Sequence, residues 1–279
     1  MTYESFFWEK IKYDVTVYMF DIPTNKTQGK AVIIGINYYD TKDARLYGCI
    51  NDGITVEKIA KEQYGFRDED IVFLRDDRRK ESEKPTRQNI VDALKEVVDE
   101  SMNLKHIWFH YSGHGASTFD YSGDEKDGMD EFLIPCDFET NGVILDDVLF
   151  DILCESKCPV FITIDSCHSG TMIDLTYSFD ITKYGLIRTV ENKRPIANKH
   201  IYMLSGCQDD QTSDDVRYDT KAEGAFTRAL ADSLSLYRYE PSLVELFASI
   251  RASLHKRGHT QRTLLSCSNA LPYMKMSKH

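Results

Sequence analysis

Two short motifs in this sequence place a thiol and an imidazole where they could act together. His114 lies in Ser112-Gly-His-Gly115, and Cys167 lies in Asp165-Ser-Cys-His-Ser-Gly170. Each motif follows an apolar run, and its glycines allow a sharp turn and the close approach of a substrate. A thiolate is the attacking form of cysteine; a nearby histidine promotes its formation and then protonates the leaving group. The motifs therefore indicate a cysteine nucleophile with a histidine base. The backbone N–H groups of Gly115 and Cys167 are the candidate donors to an oxyanion.

Other assignments of these residues remain open at this point. Cys167 could be a buried structural thiol and His114 a turn residue, because cysteine is among the most often buried residues. His168 is a second candidate base, but adjacent strand residues point to opposite faces, which favours His114. His110 is predicted to be a packed strand residue. No third triad member is evident, so the backbone or water would orient the imidazole.

The two motifs are predicted to end neighbouring strands of an α/β sheet. Short apolar runs rich in β-branched residues indicate strands, and apolar residues at helical spacing indicate helices between them. The predicted strands are Ala31–Ile36, Ile71–Leu74, His106–Tyr111, Val160–Ile164, His200–Leu204 and Thr263–Ser266. The predicted helices are Asp52–Gln63, Pro85–Met102, Leu145–Cys154, Ala225–Leu236 and Ser242–Lys256. This alternation predicts an α/β fold with a mostly parallel sheet between two helical layers, whose carboxyl strand ends gather functional groups.

Composition limits the function classes that fit this chain. Its 279 residues include 34 Lys and Arg against 45 Asp and Glu, a formal net charge of −11. Contacts to phosphates need clustered basic residues, and no such stripe is present, so nucleic acids and anionic membrane surfaces are not expected partners. The acidity favours a cationic partner, such as a metal ion or a basic peptide.

Cysteine usage and hydropathy predict a soluble, cytoplasmic protein. The seven cysteines are irregularly spaced and do not suggest a disulfide framework. No stretch approaches the ~20 apolar residues of a membrane span. The N-terminus lacks the basic start and apolar core of a signal peptide.

The chain is predicted to consist of an N-terminal arm and one folded domain. Residues 1–27 are rich in aromatic side chains and are expected to lie on the domain as an arm or a short pro-segment. Residues 28–279 would form the domain. It would have a larger portion up to about residue 176, a charged, irregular linker at residues 177–199 and a smaller portion at residues 200–279.

Five motifs in this order resemble those of type I metacaspases, which are caspase-like cysteine peptidases. They are Gly35–Tyr39, Gly48–Asp52, Tyr111–Gly115, Asp165–Gly170 and Ser205–Ser213. His114 precedes Cys167 by 167 − 114 = 53 residues, and caspases place their histidine about 50 residues before the cysteine. The resemblance runs from Lys30 to the C-terminus. It implies a caspase-like fold, a catalytic pair of Cys167 and His114, and a monomer. The Gln-Ala-Cys form of true caspases is absent.

Two carboxylates are predicted to select a basic side chain of the substrate. Asp165 lies two residues before Cys167, and Asp52 lies near the start of the first helix. A pair of carboxylates in a cleft favours Lys or Arg, and Arg can pair bidentately. The resemblance adds Ser112 and Cys49 to this pocket. The alternatives are that Asp52 caps its helix and that Asp165 is a hydrogen-bonded turn carboxylate.

Other acidic residues predict a calcium site. Residues 123–131 form an acidic loop, Asp146 and Asp147 begin a helix, and Asp174 follows the nucleophile. Carboxylates crowded together without His or Cys favour Ca²⁺ over softer metals. The resemblance implies that Asp130, Asp146, Asp147 and Asp174 bind an activating calcium ion. A solvated acidic loop is the alternative.

Together these features predict a calcium-dependent cysteine endopeptidase that cleaves proteins or peptides after Arg or Lys and not after Asp. Self-processing in the linker is a further expectation, and the basic residues there include Lys183, Arg188, Lys193 and Arg194. One rival is a non-catalytic, calcium-responsive binding or scaffold protein on the same fold. Another is a thiol hydrolase that acts on small molecules. The intact pair of His114 and Cys167 counts against the scaffold.

Overall fold

The structure, a computed structural model, describes residues 29–119, 129–167, 172–207, 216–218, 221–259 and 261–276. Several predicted features lie outside these ranges: the arm at residues 1–27, His168, residues 123–128 of the acidic loop and residues 208–213 of the last motif. The central strands are β1 (Lys30–Gly35), β2 (Ile71–Arg75), β3 (Ile107–Ser112), β7 (Val160–Asp165), β8 (Tyr177–Thr182), β9 (Gly185–Val190), β10 (Ile201–Cys207) and β13 (Arg262–Cys267). Smaller strands are β4 (Gly115–Phe119), β5 (Met129–Leu133), β6 (Ile144–Leu145), β11 (Val216–Tyr218) and β12 (Lys221–Glu223). The helices are α1 (Cys49–Tyr64), α2 (Arg87–Asp99), α3 (Phe138–Asn141), α4 (Asp146–Leu153), α5 (Ala225–Leu236) and α6 (Leu243–Lys256).

The strands and helices predicted from apolar periodicity are confirmed, with ends that shift by at most three residues. The central sheet has the order β2-β1-β3-β7-β10-β13-β8-β9. Its first five strands run parallel, and β13, β8 and β9 each pair antiparallel with the preceding strand of the sheet. The sheet is therefore mixed, and its parallel half carries both reactive motifs.

The sheet lies between two helical layers, which confirms the predicted three-layer α/β/α architecture. Successive residues of β1 face opposite sides: Val32 and Ile34 pack with α2 and α4, while Ala31 and Ile33 pack with α1, α5 and α6. Strands buried on both faces explain why the sequence shows continuous apolar runs rather than alternation.

Helix α2 illustrates how the sequence specifies these layers. Ile90, Leu94 and Val97 recur at helical spacing and are at most 3 % exposed. Burying each such side chain contributes about 1.5–3 kcal/mol. The helix begins after Thr86, whose hydroxyl accepts a hydrogen bond from the backbone N–H of Asn89 at 3.2 Å. Loss of such a cap typically costs about 1 kcal/mol.

The register between β3 and β7 fixes the relative positions of the two motifs. Ser112, the last residue of β3, pairs with Asp165, the last residue of β7. Paired residues of neighbouring strands lie about 4.8 Å apart. His114 and Cys167 each follow their paired residue by two positions. Both therefore lie just beyond the carboxyl ends of these two central strands.

The prediction of an irregular linker at residues 177–199 is wrong for most of that segment. Residues 177–190 form the hairpin of β8 and β9, which completes the sheet at one edge. In β8, Phe179 packs into the core, whereas the last four residues of β9 are exposed. An edge strand with one solvated face lacks the apolar run that marks the central strands, so its charged residues resemble those of a loop.

The end of the predicted acidic loop is a strand instead. Residues 129–131 belong to β5, which pairs with β4 and β6 in a small antiparallel sheet. Strand β4 begins at Gly115, directly after His114. The backbone N–H of Ile134 donates to the carbonyl oxygen of His114 at 3.2 Å, which ties this small sheet to the motif.

The helices within the described ranges include none with a stretch both long and apolar enough to cross a membrane.

Candidate active site

The imidazole of His114 is oriented by a backbone carbonyl. Its Nε2 atom lies 2.7 Å from the carbonyl oxygen of Ala44, in the short 3-10 helix Lys42–Ala44. A carbonyl oxygen only accepts hydrogen bonds, so Nε2 must carry a proton and donate it. In the neutral imidazole, Nδ1 is then the proton acceptor. This carbonyl fills the orienting role that the sequence left to backbone or water.

Two buried tyrosines hold the backbone of His114. The N–H of His114 donates to the hydroxyl oxygen of Tyr38 at 2.8 Å, and the hydroxyl of Tyr111 donates to the carbonyl oxygen of His114 at 2.7 Å. The hydroxyl of Tyr38 donates in turn to the carbonyl of Ile134 at 2.6 Å. The imidazole also packs on the Tyr38 ring, with ring centroids 4.7 Å apart. Burial raises the pKa of both tyrosines, so they remain protonated.

Tyr38 adopts a backbone conformation that is rare outside glycine. Its φ angle is 54°, in the left-handed region. The carboxylate of Asp76 stabilises this bend, because it accepts hydrogen bonds from the N–H groups of Asn37 at 2.9 Å and Tyr39 at 3.0 Å. A strained residue held in this way is typical of functional sites.

Cys167 lies beside the start of β4. It is half-buried, and it is not part of a disulfide. Gly115 packs so closely on it that a side chain at residue 115 would clash with the carbonyl oxygen of Cys167. The two residues that carry the sequence-predicted oxyanion donors, Gly115 and Cys167, are therefore in contact. Only glycine permits this approach.

One open cleft of about 510 Å³, including space open to solvent, contains the catalytic pair. Its lining consists of Leu46, Gly48, Cys49, Asp52, Ser112, Gly113, His114, Asp165, Ser166, Cys167, Gly224, Ala225 and Gln261. Every residue predicted for the substrate pocket is among them.

Asp52 is a buried pocket residue and does not cap its helix. Gly48 occupies the N-cap position of α1, and Asp52 lies one turn further on, 1 % exposed. Its carboxylate accepts hydrogen bonds from the hydroxyl of Ser112 at 2.7 Å and from the N–H of Gly224 at 2.8 Å. Burial and the nearby Asp165 raise the pKa of Asp52 well above its usual value, although the two hydrogen bonds oppose that rise.

Asp165 has a structural role and also lines the cleft. Its Oδ2 atom accepts hydrogen bonds from the N–H of Thr227 at 2.8 Å and from the hydroxyl of Thr227 at 2.7 Å, in the first turn of α5. Gly224 lies between the two carboxylates. A Cβ there would clash with Asp165 and lie 2.7 Å from Oδ2 of Asp52. A helix N-terminus thus stabilises one carboxylate, and glycine leaves room between the two.

Several functional positions were missed in the sequence. Tyr38 and Tyr111 belong to motifs that were noticed, but their roles in holding His114 follow only from the folded backbone. The Ala44 carbonyl, Gly224 and Thr227 have no local sequence signal, because they reach the cleft through tertiary packing. His110, predicted as a packed strand residue, is fully buried beside Thr163, and burial lowers its pKa to about 3.

The acidic residues predicted to bind calcium are less organised than the cleft. Asp146 is 2 % exposed, and its carboxylate accepts hydrogen bonds from the N–H groups of Glu131 at 2.9 Å and Asp147 at 2.8 Å. Asp174 is 6 % exposed. Buried oxygen ligands suit a hard cation such as Ca²⁺. In the part of the chain that the structure describes, however, no group of three or more acidic, His or Cys side chains is arranged to hold a metal ion.

Asp147 already has a cationic partner. Its side chain forms an ion pair with Arg194, which also reaches Asp151 at 3.3 Å. The guanidinium of Arg194 lies 4.1 Å from the centre of the Phe150 ring. A predicted calcium ligand is therefore paired with one of the basic residues predicted as self-cleavage positions.

The other predicted self-cleavage residues differ in their surroundings. Lys183 is exposed in the turn between β8 and β9, and Lys193 is exposed in the segment after β9. Arg188 lies within β9, and its side chain donates to the carbonyl of Ala270 at 2.8 Å. Cleavage at these residues stays a prediction.

A family model described as "Metacaspase, peptidase C14 domain" matches residues 29–176. Among similar proteins is "Metacaspase-1" of Cryptococcus neoformans, which is 34 % identical over 87 % of this chain and 63 % of its own length. "Metacaspase-1" of Debaryomyces hansenii is 30 % identical over 86 % of this chain and 64 % of its own. "Metacaspase-1B" of Aspergillus oryzae is 34 % identical over 91 % and 71 %. The chain therefore spans less than two thirds of the length of the first two.

Solved structures share the fold at low sequence identity. A protein of Geobacter sulfurreducens superposes with a TM-score of 0.60 at 23 % identity, over 90 % of this chain and 98 % of that protein. The structure of "Caspase-1 from Spodoptera frugiperda" superposes with a TM-score of 0.56 at 14 % identity, over 91 % and 93 %. This confirms the predicted caspase-like fold.

Proposed function

This chain belongs to the metacaspase family of C14 peptidases, and from that premise we propose that it is a cysteine endopeptidase that cleaves after Arg or Lys. The register of β3 with β7 carries the proposal. It pairs Ser112 with Asp165 and so brings His114 and Cys167 together at the carboxyl ends of the two strands, in one cleft. A scaffold protein would need neither a thiol at these strand ends nor an imidazole oriented by a carbonyl.

The proposed reaction is acyl transfer through a thioester. Nδ1 of His114 takes the proton of the Cys167 thiol, and the sulfur forms a bond to the carbonyl carbon of the substrate. The peptide C–N bond then breaks, and the imidazolium gives its proton to the departing amine. Water attacks the thioester and gives a proton to His114, and the carboxylic acid leaves as the sulfur departs. The Ala44 carbonyl holds Nε2–H throughout, so Nδ1 remains the working nitrogen.

The negative oxygen of the tetrahedral intermediate requires donors close to the sulfur. We assign this role to the backbone N–H groups of Gly115 and Cys167, because the two residues touch. Backbone donors fixed by β4 need no reorganisation during the reaction, which is the source of their catalytic effect.

Specificity for a basic side chain is proposed from the two carboxylates. Asp52 and Asp165 lie on either side of Gly224, with Ser112 and Cys49 nearby. Without a cation, burial and the neighbouring Asp165 keep the pKa of Asp52 high. A Lys or Arg side chain would balance the negative charge of the two carboxylates, whereas an Asp side chain would add a third carboxylate.

Calcium dependence is proposed on the donor chemistry. Asp130, Asp146, Asp147 and Asp174 would supply oxygen ligands, and two of them, Asp146 and Asp174, are buried. A bound Ca²⁺ would balance the negative charge of these carboxylates. Among the described residues these side chains do not form a ready site. We therefore expect metal binding to require rearrangement, beginning with release of Asp147 from Arg194.

Self-processing is proposed at the exposed basic residues. A peptidase needs an extended segment that can enter its cleft, and a residue paired within a sheet must first be freed. We therefore expect cleavage after Lys183 or Lys193 before cleavage after Arg188 or Arg194. A monomeric state and a cytoplasmic location stay predictions from the sequence.

Peptide substrates that differ only in the residue before the scissile bond test this function. The purified chain should cleave the Arg and Lys peptides at least about 10²-fold faster than the Asp peptide, and added calcium should raise the rate. Cys167→Ala should abolish cleavage, and Cys267→Ala is a matched control because that thiol is fully buried in the core. Labelling of Cys167 by an acyloxymethyl ketone bearing Arg would separate a peptidase from a binding protein. Preferential cleavage after Asp would refute the pocket assignment.

A further inference from the structure

Gln261 is a buried polar residue in the cleft with no role in the chemistry described above. It directly precedes β13 and is only 8 % exposed. Its side-chain amide lies against Gly206 of β10, where a Cβ would collide with it. The residue lines the same cleft as Asp52 and Asp165.

The amide oxygen of Gln261 is a buried acceptor, and within the described residues it has no hydrogen-bond donor. Most buried polar atoms in folded proteins are hydrogen-bonded, and leaving one unpaired destabilises the fold. An unpaired acceptor in the wall of a substrate cleft therefore points to a ligand that supplies the missing donor.

The neighbouring carboxylates are already used in part by protein donors. Oδ2 of Asp52 accepts from Ser112, and Oδ1 accepts from Gly224. Oδ2 of Asp165 accepts two hydrogen bonds from Thr227. These bonds fix the negative charge in place, but they occupy directions from which a substrate could also donate. Gln261 adds an acceptor that the protein does not use.

A guanidinium group makes better use of such an acceptor than an ammonium group. It has five N–H donors spread over a rigid plane, whereas an ammonium has three around one point. A guanidinium between the two carboxylates can satisfy both and still present an N–H to a third oxygen.

We propose that Gln261 is a specificity-determining residue whose amide oxygen accepts a hydrogen bond from the guanidinium of the substrate, so that the cleft favours Arg over Lys. This inference rests on the proposed function, that is, on cleavage after basic residues. It assigns to the residue before β13 a part in selecting the substrate, alongside residues of β3, β7 and α1.

The test compares Gln261→Met with the unaltered chain, using peptides that differ only in Arg or Lys before the scissile bond. Methionine keeps the length of the side chain and removes the acceptor. We expect kcat/KM for the Arg peptide to fall about tenfold or more, mostly through KM, because the lost hydrogen bond involves a charged donor. The value for the Lys peptide should fall by less than about threefold, so the Arg/Lys ratio shrinks.

Two further variants separate recognition from general damage. Gln261→Glu keeps an acceptor at the same place and should restore the preference for Arg. Gln88→Met, on the exposed face of α2, is a matched control that should change neither value. The rate of Cys167 alkylation by iodoacetamide and the melting temperature report on folding, independently of the substrate.

The possible outcomes distinguish this inference from the proposed function. If the unaltered chain cleaves neither peptide, the proposed function fails. If it cleaves both peptides and Gln261→Met lowers the two values equally, or leaves both unchanged, the role of Gln261 is overturned. If Gln261→Met does not fold, Gln261→Leu takes its place, and an unchanged Arg/Lys ratio in folded Gln261→Leu would overturn the role as well.

Discussion

The catalytic cleft and the acidic region (Asp130, Asp146, Asp147 and Asp174) are organised in different ways. In the cleft, His114 is held through its ring, its N–H and its carbonyl by Ala44, Tyr38 and Tyr111. In the acidic region, Asp147 is paired with Arg194, and no group of three ligating side chains is assembled among the described residues. The cleft is thus preorganised, whereas we propose that the acidic region rearranges when it binds a metal ion.

The two regions differ because different kinds of elements carry their residues. The catalytic pair follows two strands whose register is fixed by the core, so its geometry follows from the fold. The acidic residues come from β5, from the start of α4 and from the segment after Cys167. Among the described residues, the pairing of β5 with β6 and the N–H of Glu131 tie Asp146 to β5, whereas Asp174 belongs to neither element. Preorganisation suits catalytic groups, since any reorganisation would add to the barrier, whereas a region that must rearrange suits a switch.

The largest loss of activity is expected from removing the proposed base of the cleft, His114. His114→Ala should lower kcat by about 10²- to 10⁴-fold, the usual contribution of a positioned acid–base group. The measurement is the initial rate with an Arg peptide at saturating calcium. His255→Ala, an exposed position on α6, is the matched control. If His114→Ala kept more than a tenth of the activity, the cleft would not be organised around this imidazole.

A smaller loss is expected when the pocket charge is removed. Asp52→Asn keeps the size of the side chain but loses the negative charge that would pair with a basic substrate. A hydrogen-bonded charge of this kind contributes about 1.5–3 kcal/mol, so kcat/KM for basic peptides should fall by about 10- to 10²-fold. Asp43→Asn removes one charge at an exposed position near the cleft and should have little effect. Equal losses in the two variants would mean that only the overall charge matters.

The pH dependence of ligand binding sharpens this assignment. Because burial and Asp165 raise the pKa of Asp52, its carboxyl keeps a proton up to a higher pH than an exposed carboxyl does, and a basic ligand must displace that proton in this range. Affinity for an Arg-terminated peptide should therefore rise with pH, by up to about tenfold per unit, and level off above the pKa of Asp52. Calorimetry on Cys167→Ala avoids turnover during the measurement. An identical slope in the Cys167→Ala, Asp52→Asn double variant would assign the proton to another group.

The sequence predicted the cleft well because its information is local. Apolar runs marked β3 and β7, and small residues marked their ends, so the convergence of His114 and Cys167 followed from the geometry of a parallel sheet. Asp165 lies in the motif of Cys167, and Asp52 ends another recognised motif, Gly48–Asp52. The Ala44 carbonyl, Gly224, Thr227 and Gln261 reach the cleft from other elements, and no nearby pattern distinguishes them from ordinary loop and helix residues.

The sequence predicted the sheet edge and the acidic region less well. Strand β9 is exposed along much of its length, so the hairpin of β8 and β9 lacked the apolar signal on which the prediction of strands depends. The ion pair joins Asp147, on α4, to Arg194, in the segment after β9. The two residues are 194 − 147 = 47 positions apart in the sequence. Charge alone cannot predict such a pairing, because many acidic residues were available to each basic one.

The smallest expected effect concerns this ion pair. If Arg194 competes with calcium for Asp147, then Arg194→Gln should raise calcium affinity. The pair is partly exposed, at 30 % for Arg194 and 45 % for Asp147, and such pairs contribute about 0–1 kcal/mol. The gain should therefore be at most about fivefold, measured by calorimetry on Cys167→Ala so that no self-cleavage occurs.

Arg257→Gln provides the control for this measurement, because Arg257 forms a comparable ion pair with Asp232 between α5 and α6. It removes the same charge from the protein without touching the acidic region. A gain confined to Arg194→Gln would mean that an internal cation holds Asp147 in the metal-free chain. Unchanged affinity, or the same gain in both variants, would mean that Asp147 is as ready for its ligand as His114 is for its substrate, and the contrast between the two regions would disappear.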